Sequence, residues 1–81
     1  MLFALICTDK PGHLEVRKAN RDAHIAYLKS TPVTHAGPFL NEDGDMIGSL
    51  VVIEADDRVG AEDWAANDPY ARAGLFEKVR T

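Results

Sequence analysis

The chain has 81 residues, enough for one domain with a single small core, and the marginal stability expected at this size favours a homodimer. Its 13 acidic and 9 basic residues give a net charge of −4, and no basic cluster is denser than Arg17-Lys18 with Arg21, so nucleic acid is not expected as a partner. The opening MLFALIC is a short apolar run with neither a basic leader nor a small-residue cleavage site, which argues against a signal peptide or a membrane span.

The first strand and the first helix are predicted from two contrasting stretches. Residues 2–7, LFALIC, form a continuous apolar run that ends in a polar loop with Pro11-Gly12, which is typical of a strand covered on both faces. Cys7 is the single cysteine and cannot form an internal disulfide, which favours the reducing cytoplasm. Residues 13–29 contain no glycine or proline and predict a long helix that Ser30-Thr31-Pro32 ends.

The middle of the chain predicts an antiparallel hairpin. Residues 33–40, VTHAGPFL, have the pattern of a strand interrupted by Gly37-Pro38, and residues 47–55, IGSLVVIEA, that of the longest strand. The polar residues 41–45 supply the turn between them. Apolar side chains of the longer strand alternate onto both faces, so both faces are expected to be covered.

A proline divides the last helical stretch into two parts. Residues 59–66 predict a helix with Asp57 as its N-cap. Because proline lacks the backbone donor and restricts the residue before it, Asp68 must end this helix while Pro69 starts a short one that stops at Gly74. The residues from Phe76 onward predict a last strand that is just beginning, so this strand is expected to be incomplete.

The order strand, helix, strand, strand, helix, strand predicts an α+β fold of the ferredoxin-like, split βαββαβ type. Its four-stranded antiparallel sheet would carry the helices on one face only. The other apolar face then needs a partner, and a second copy of the chain is the simplest one.

Four segments resemble the YciI-like (YCII-related) family in order and spacing: RDAHIAYL at 21–28, THAGPF at 34–39, GSLVVIEA at 48–55 and ANDPYARAGLFEKV at 66–79. The resemblance covers nearly the whole chain and implies a single YciI-like domain over residues 1–81. It also implies a dimeric α+β barrel and an active site built on a helix histidine and the aspartate of an Asp-Pro-Tyr motif.

Carried over to this chain, the resemblance makes His24 and Asp68 the catalytic pair and places Gly37-Pro38 beside the cleft. Tyr70, Ser49 and Arg21 are further candidates for binding a substrate there. Because the two helices of a split βαβ unit pack on the same sheet face, His24 and Asp68 are expected within about 3.5 Å of each other. Asp68 would cap the helix at Pro69 with its other oxygen.

Each of these residues also has a purely structural interpretation. His24 would be satisfied by a backbone carbonyl and Asp68 would only cap a helix. Ser49 would pack or make a local hydrogen bond, and Arg21 would lie on the surface. Tyr70 would pack its ring against other aromatic side chains, Trp64 and Phe76.

Two classes of function remain open. His13, His24 and His35 fall on different elements without the spacing of a metal site, and the chain has no nucleophile elbow, phosphate loop or cofactor fingerprint, so neither metal nor cofactor is expected. The first class is an enzyme that uses a His-Asp acid/base pair for lyase, isomerase or dehydrohalogenase-like proton transfer on a small organic ligand. The second is a non-catalytic dimeric module that binds a small ligand or a partner protein in the same cleft.

Overall fold

The computed structural model describes all residues from Met1 to Thr81 and confirms the predicted order of elements. These are β1 (Leu2–Asp9), α1 (Leu14–Ser30), β2 (Val33–Leu40), β3 (Met46–Glu54), α2 (Arg58–Asn67), α3 (Pro69–Arg72) and β4 (Phe76–Arg80). Most boundaries lie within one residue of the prediction. The first strand is longer than predicted because its ladder continues through Thr8, paired with Gly48, to Asp9, paired with Phe76.

The four strands form one sheet in the order β2-β3-β1-β4, and the described pairs are antiparallel. This is the predicted ferredoxin-like, split βαββαβ topology. The edge strand β4 has five residues and pairs with the second half of β1. Between α3 and β4 the chain turns at Gly74, whose φ of 75° is a conformation that favours glycine.

Side chains alternate across the sheet, and one face carries the helices. Leu5, Cys7, Val51 and Ile53 are buried on that face and pack with Trp64 of α2. These neighbours build the core around the two central strands, β1 and β3.

The opposite sheet face is more open in the protomer. Leu2 and Ile6 are 61% and 43% exposed, and the alternation of β3 places half-buried Leu50 and Val52 on the same side. No helix of the structure has both the length and the hydropathy to cross a membrane.

The face of α1 that meets the sheet is polar at two positions. Arg17 and His24 are its buried residues, whereas the small residues Ala19, Ala23 and Ala26 are exposed. Since seven residues are two helical turns, Arg17 and His24 lie on the same face of α1. That face forms one side of the candidate site.

Candidate active site

The Asp-Pro step forms the joint between α2 and α3. Asp68 has an extended backbone (φ −60°, ψ 129°), and its amide donates to the Ala65 carbonyl at the end of α2. Its side-chain Oδ1 accepts the Tyr70 amide at 2.9 Å, which caps α3, and Pro69 occupies the first turn of α3. The predicted capping role of Asp68 is therefore present in the structure.

The same carboxylate contacts His24. The distance from His24 Nδ1 to Asp68 Oδ1 is 2.7 Å, and the two residues are 6% and 1% exposed. The structure thus brings together the two residues that the sequence analysis paired. One detail of that analysis is wrong: the cap and the histidine contact use the same oxygen, Oδ1, rather than one oxygen each.

This geometry defines which ring nitrogen of His24 is left for a ligand. Asp68 Oδ1 acts as an acceptor toward the Tyr70 amide, so His24 Nδ1 is the donor in the shared contact. His24 Nε2 makes no hydrogen bond within the chain, yet no fully buried side-chain nitrogen lacks a partner. Nε2 is therefore reached by solvent, and His24 lines a cavity.

The cavity has a volume of about 160 Å³ and lies between α1 and strands β2 and β3. Of the predicted site residues only Asp68 is absent from its wall, since Asp68 lies behind His24; the others line it: Arg21, His24, Gly37, Pro38, Ser49 and Tyr70. Apolar side chains form much of the remaining wall: Ile25, Leu28, Ala36, Met46 and Val51. The cavity therefore combines an apolar wall with a few polar groups, as small-molecule sites do.

Sequence reasoning missed two buried charged residues beside the cavity. Arg17 Nε and Nη2 donate to the Asp9 carboxylate at 2.7 and 2.9 Å, and Nη2 also donates to Ser49 Oγ at 2.9 Å. Arg17 lines the cavity and Asp9 lies behind it. Although burial alone lowers the pKa of Arg17, hydrogen bonding to Asp9 and attraction by its charge raise that pKa above the ordinary value. The spacing of Arg17 and His24 by two turns was the available signal.

Tyr70 joins the two halves of the site. Its ring stacks on the His24 ring, with centroids 3.9 Å apart and planes 14° apart, and the Arg17 guanidinium lies 4.7 Å from the Tyr70 centroid. Burial raises the pKa of the Tyr70 phenol, and the Arg17 charge opposes this effect. Of the two expected aromatic neighbours, Phe76 meets Tyr70 edge-on, whereas Trp64 packs against Tyr27.

The remaining candidates divide between the wall and the surface. Ser49 is buried and accepts the hydrogen bond from Arg17, so its hydroxyl belongs to the polar network as well as to the packing. Arg21 lines the cavity but is exposed to solvent.

Burial and the Asp68 charge raise the pKa of the Cys7 thiol to about 12, which disfavours the thiolate. No three His, Cys, Asp or Glu side chains are grouped closely enough to hold a metal ion.

The fold is of the ferredoxin-like α+β class, and it holds a buried His-Asp pair at a cavity. The chain belongs to the YCII-related domain family, whose family model matches residues 1–81. The protein YciI of Escherichia coli is 34% identical to it over 89 aligned residues, which cover 98% of this chain and 91% of YciI.

Solved structures agree with this assignment. A 5-chloro-2-hydroxyhydroquinone dehydrochlorinase, TftG from Burkholderia phenoliruptrix, solved in complex with 2,5-dihydroxybenzoquinone, is 37% identical and has a TM-score of 0.88. That match covers 100% of this chain and 92% of TftG. A NIPSNAP family protein from Agrobacterium tumefaciens has a TM-score of 0.56 at 16% identity, with 98% of this chain and 85% of that protein covered, and shows the shared fold alone.

Proposed function

We propose that this chain is an enzyme that moves a proton on a small organic molecule, with His24 as the acid/base and Asp68 as the residue that orients it. The observation that carries the proposal is the 2.7 Å contact between His24 Nδ1 and Asp68 Oδ1. This contact leaves Nε2 without a partner in the chain, and His24 lines a cavity that is large enough for a small ligand.

The chemistry follows from the tautomer of His24. With the proton on Nδ1 held by Asp68, the Nε2 lone pair accepts a proton from a carbon or oxygen of the substrate. The electron pair left on the substrate forms a new double bond. In an elimination a leaving group departs with its bonding electrons, and in an isomerisation the imidazolium returns the proton to a different atom.

The size of the cavity supports a substrate with one ring. Its volume of about 160 Å³ is close to that of an engineered apolar cavity, about 150 Å³, that binds benzene. TftG is a dehydrochlorinase of a chlorinated hydroxyhydroquinone. We therefore propose a hydroxylated six-membered ring as the substrate class and loss of a proton and a halide as the reaction type. Arg21, Gly37, Pro38, Ser49 and Tyr70 would contact this substrate.

The test is chloride release from 5-chloro-2-hydroxyhydroquinone and related halogenated hydroxylated rings. His24→Ala is expected to lower kcat by roughly 10²–10⁴-fold, the usual contribution of general acid–base catalysis. Asp68→Asn, which keeps an oxygen at the same position, is expected to lower it less. His13→Ala is the matched control, because His13 lies outside the cavity and makes no side-chain cap bond to α1.

Two outcomes would contradict the catalytic role. Undiminished turnover in His24→Ala would remove His24 from the mechanism. If no ring is turned over while 2,5-dihydroxybenzoquinone binds wild type and His24→Ala with equal affinity, the chain is a binding module that uses the same cavity.

We further propose that the protein is a homodimer whose sheets meet face to face. The open sheet face carries exposed Leu2 and Ile6 with half-buried Leu50 and Val52, and Phe39 of β2 is 40% exposed. Burying such a face removes apolar surface from water, which favours association. The interface is expected to bury at least about 1,200 Å² in total.

Light scattering at micromolar concentration tests the homodimer. Wild type is expected to have the mass of two chains, and Ile6→Lys, which places a charge in the interface, the mass of one. Val59→Lys is the control, since Val59 is 72% exposed on the first turn of α2, away from that sheet face. A monomeric wild type would contradict the proposal.

A further inference from the structure

We propose that Arg17 and Ser49 form a subsite for an anionic oxygen inside the cavity, so that the protein selects ionised ligands such as phenolates and enolates. This inference deepens the proposed function, since it rests on the same cavity and names the ionic form of the ligand. It can nevertheless be tested by equilibrium binding without any turnover.

The hydrogen bonds of Arg17 leave one of its nitrogens for a ligand. Nε is bound to Asp9, and Nη2 is bound to both Asp9 and Ser49. No hydrogen bond of normal geometry joins Nη1 to the chain, although the Tyr70 hydroxyl lies near the guanidinium and hydrogen bonding to it helps to raise the pKa of Arg17. Arg17 is 2% exposed, yet no fully buried side-chain nitrogen is without a partner. Nη1 is therefore not fully enclosed by the chain, and Arg17 lines the cavity.

Ser49 supplies a second donor at the same wall. Its Oγ accepts the hydrogen bond from Arg17 Nη2, so the serine proton remains available for another acceptor. Ser49 also lines the cavity. The guanidinium and the hydroxyl are thus adjacent donors, and a ligand oxygen with negative charge is the acceptor that complements them.

The charge of the cavity wall favours the same kind of ligand. Arg17 and Arg21 both line the cavity, and no aspartate or glutamate does, although the chain as a whole has a net charge of −4. Asp9 is the partner of Arg17, but both of its oxygens are occupied by the guanidinium. The cavity wall is therefore positively charged although the whole chain is negatively charged, and this local charge favours an anionic ligand.

The guanidinium is also held in a fixed orientation. Asp9 binds it through two parallel hydrogen bonds, and the Tyr70 ring lies 4.7 Å from it. A donor fixed in advance loses little side-chain entropy on binding and needs no reorganisation as charge develops on the ligand. When Nε2 of His24 takes a proton from a ring hydroxyl, negative charge develops on that oxygen, and Arg17 stabilises this charge until the electron pair forms the new double bond. Asp9 is accordingly a positioning residue that acts through Arg17.

The experiment compares two probes of nearly the same shape, 4-nitrophenol and nitrobenzene, at a pH at which free 4-nitrophenol is ionised. Wild type is expected to bind 4-nitrophenolate more tightly than nitrobenzene. The double variant Asp9→Asn/Arg17→Gln, which keeps a hydrogen-bonding pair without charge, is expected to lose roughly 10- to 100-fold in affinity for the phenolate. Its affinity for nitrobenzene is expected to remain unchanged.

Three further variants separate this subsite from its alternatives. Ser49→Ala is expected to weaken phenolate binding by roughly 2- to 10-fold, the effect of one neutral hydrogen bond. Arg21→Gln, which removes the other cation of the wall, is expected to have a smaller effect than the Arg17 change. His24→Gln is expected to keep the preference for the phenolate, so failure of the catalytic proposal would leave this result intact.

Several results would overturn the inference. One is a wild type that binds nitrobenzene as tightly as the phenolate. Another is a double variant, folded by circular dichroism, that loses affinity for both probes equally, because that loss would reflect packing. If the double variant does not fold, the comparison of Ser49→Ala with Arg21→Gln decides: loss of the preference in Arg21→Gln alone would place the anion at Arg21.

Discussion

Replacement of Asp68 by alanine is expected to destabilise the protein far more than loss of an ordinary helix cap. Asp68 is 1% exposed, and its Oδ1 accepts hydrogen bonds from the Tyr70 amide and from the His24 ring. Alanine removes both. Losing the cap costs about 1 kcal/mol. Leaving the buried Nδ1–H of His24 without an acceptor costs a further ~1–3 kcal/mol.

The expected loss for Asp68→Ala is therefore about 2–4 kcal/mol. This is a large part of the roughly 4–12 kcal/mol of stability that a domain of this length has. Asp68→Asn keeps an oxygen at the Oδ1 position and exchanges the second oxygen for an amide group. Its expected loss is smaller, about 1 kcal/mol, because both donors keep an acceptor and only the charge is lost.

Urea denaturation followed by Trp64 fluorescence measures these differences, since Trp64 is the single tryptophan and is 8% exposed. All proteins should be compared at one protomer concentration, because the stability of a dimer depends on it. Asp57→Ala is the matched control: Asp57 Oδ1 caps α2 through the Gly60 amide at 2.8 Å and has no histidine partner. If Asp68→Ala costs no more than Asp57→Ala, His24 does not depend on Asp68 and the reasoning fails.

Two further predictions concern stability. The folded protein keeps the Cys7 proton up to a pKa of about 12, whereas an unfolded thiol loses it near pH 8.5, so stability is expected to fall by about 1.4 kcal/mol per pH unit above that pH. Urea midpoints between pH 8.5 and 10 check this, and a Cys7→Ala variant with the same slope as wild type would contradict it. Gly48→Ala is expected to destabilise the sheet by about 2 kcal/mol or more, because the added Cβ would lie 2.4 Å from the Cys7 carbonyl oxygen. Gly37→Ala is the control: its added Cβ has no atom within 4 Å, so its melting temperature should equal that of wild type. Equal melting temperatures for the two glycine variants would show that the contact at Gly48 relaxes.

The sequence was most informative where local backbone chemistry fixes the outcome. Pro69 forces a helix boundary, and Asp68 before it is able to cap the new helix, so its capping role was predictable from local backbone chemistry. The pairing of Asp68 with His24 needed the predicted topology and the family resemblance as well. The alternation in the long strand divided its apolar residues between the two sheet faces, but it did not indicate which face lies beneath the helices.

The Arg17–Asp9 pair could not be predicted in the same way. Asp9 lies beyond the predicted end of β1. Its side chain reaches Arg17 of α1 because β1 continues to Asp9 and pairs with β3 and β4. Charged residues are usually exposed, and nothing in the sequence around Arg17 indicates a buried partner for its charge. Its burial depends on a partner eight residues away and on a hydroxyl from β3, and neither contact leaves a local pattern.

The double use of Asp68 Oδ1 links the folding of a single helical turn to the chemical state of the site. The Tyr70 amide and the His24 ring share that oxygen, so any opening of α3 that moves Asp68 also frees the imidazole to rotate or change tautomer. Short peripheral segments open with a lower free energy than the core of a domain. Hydrogen exchange at the Tyr70 amide would then report how often the His-Asp pair comes apart in the otherwise folded protein. In the ligand-free protein, the fraction of molecules with an assembled pair would be set by the local stability of α3.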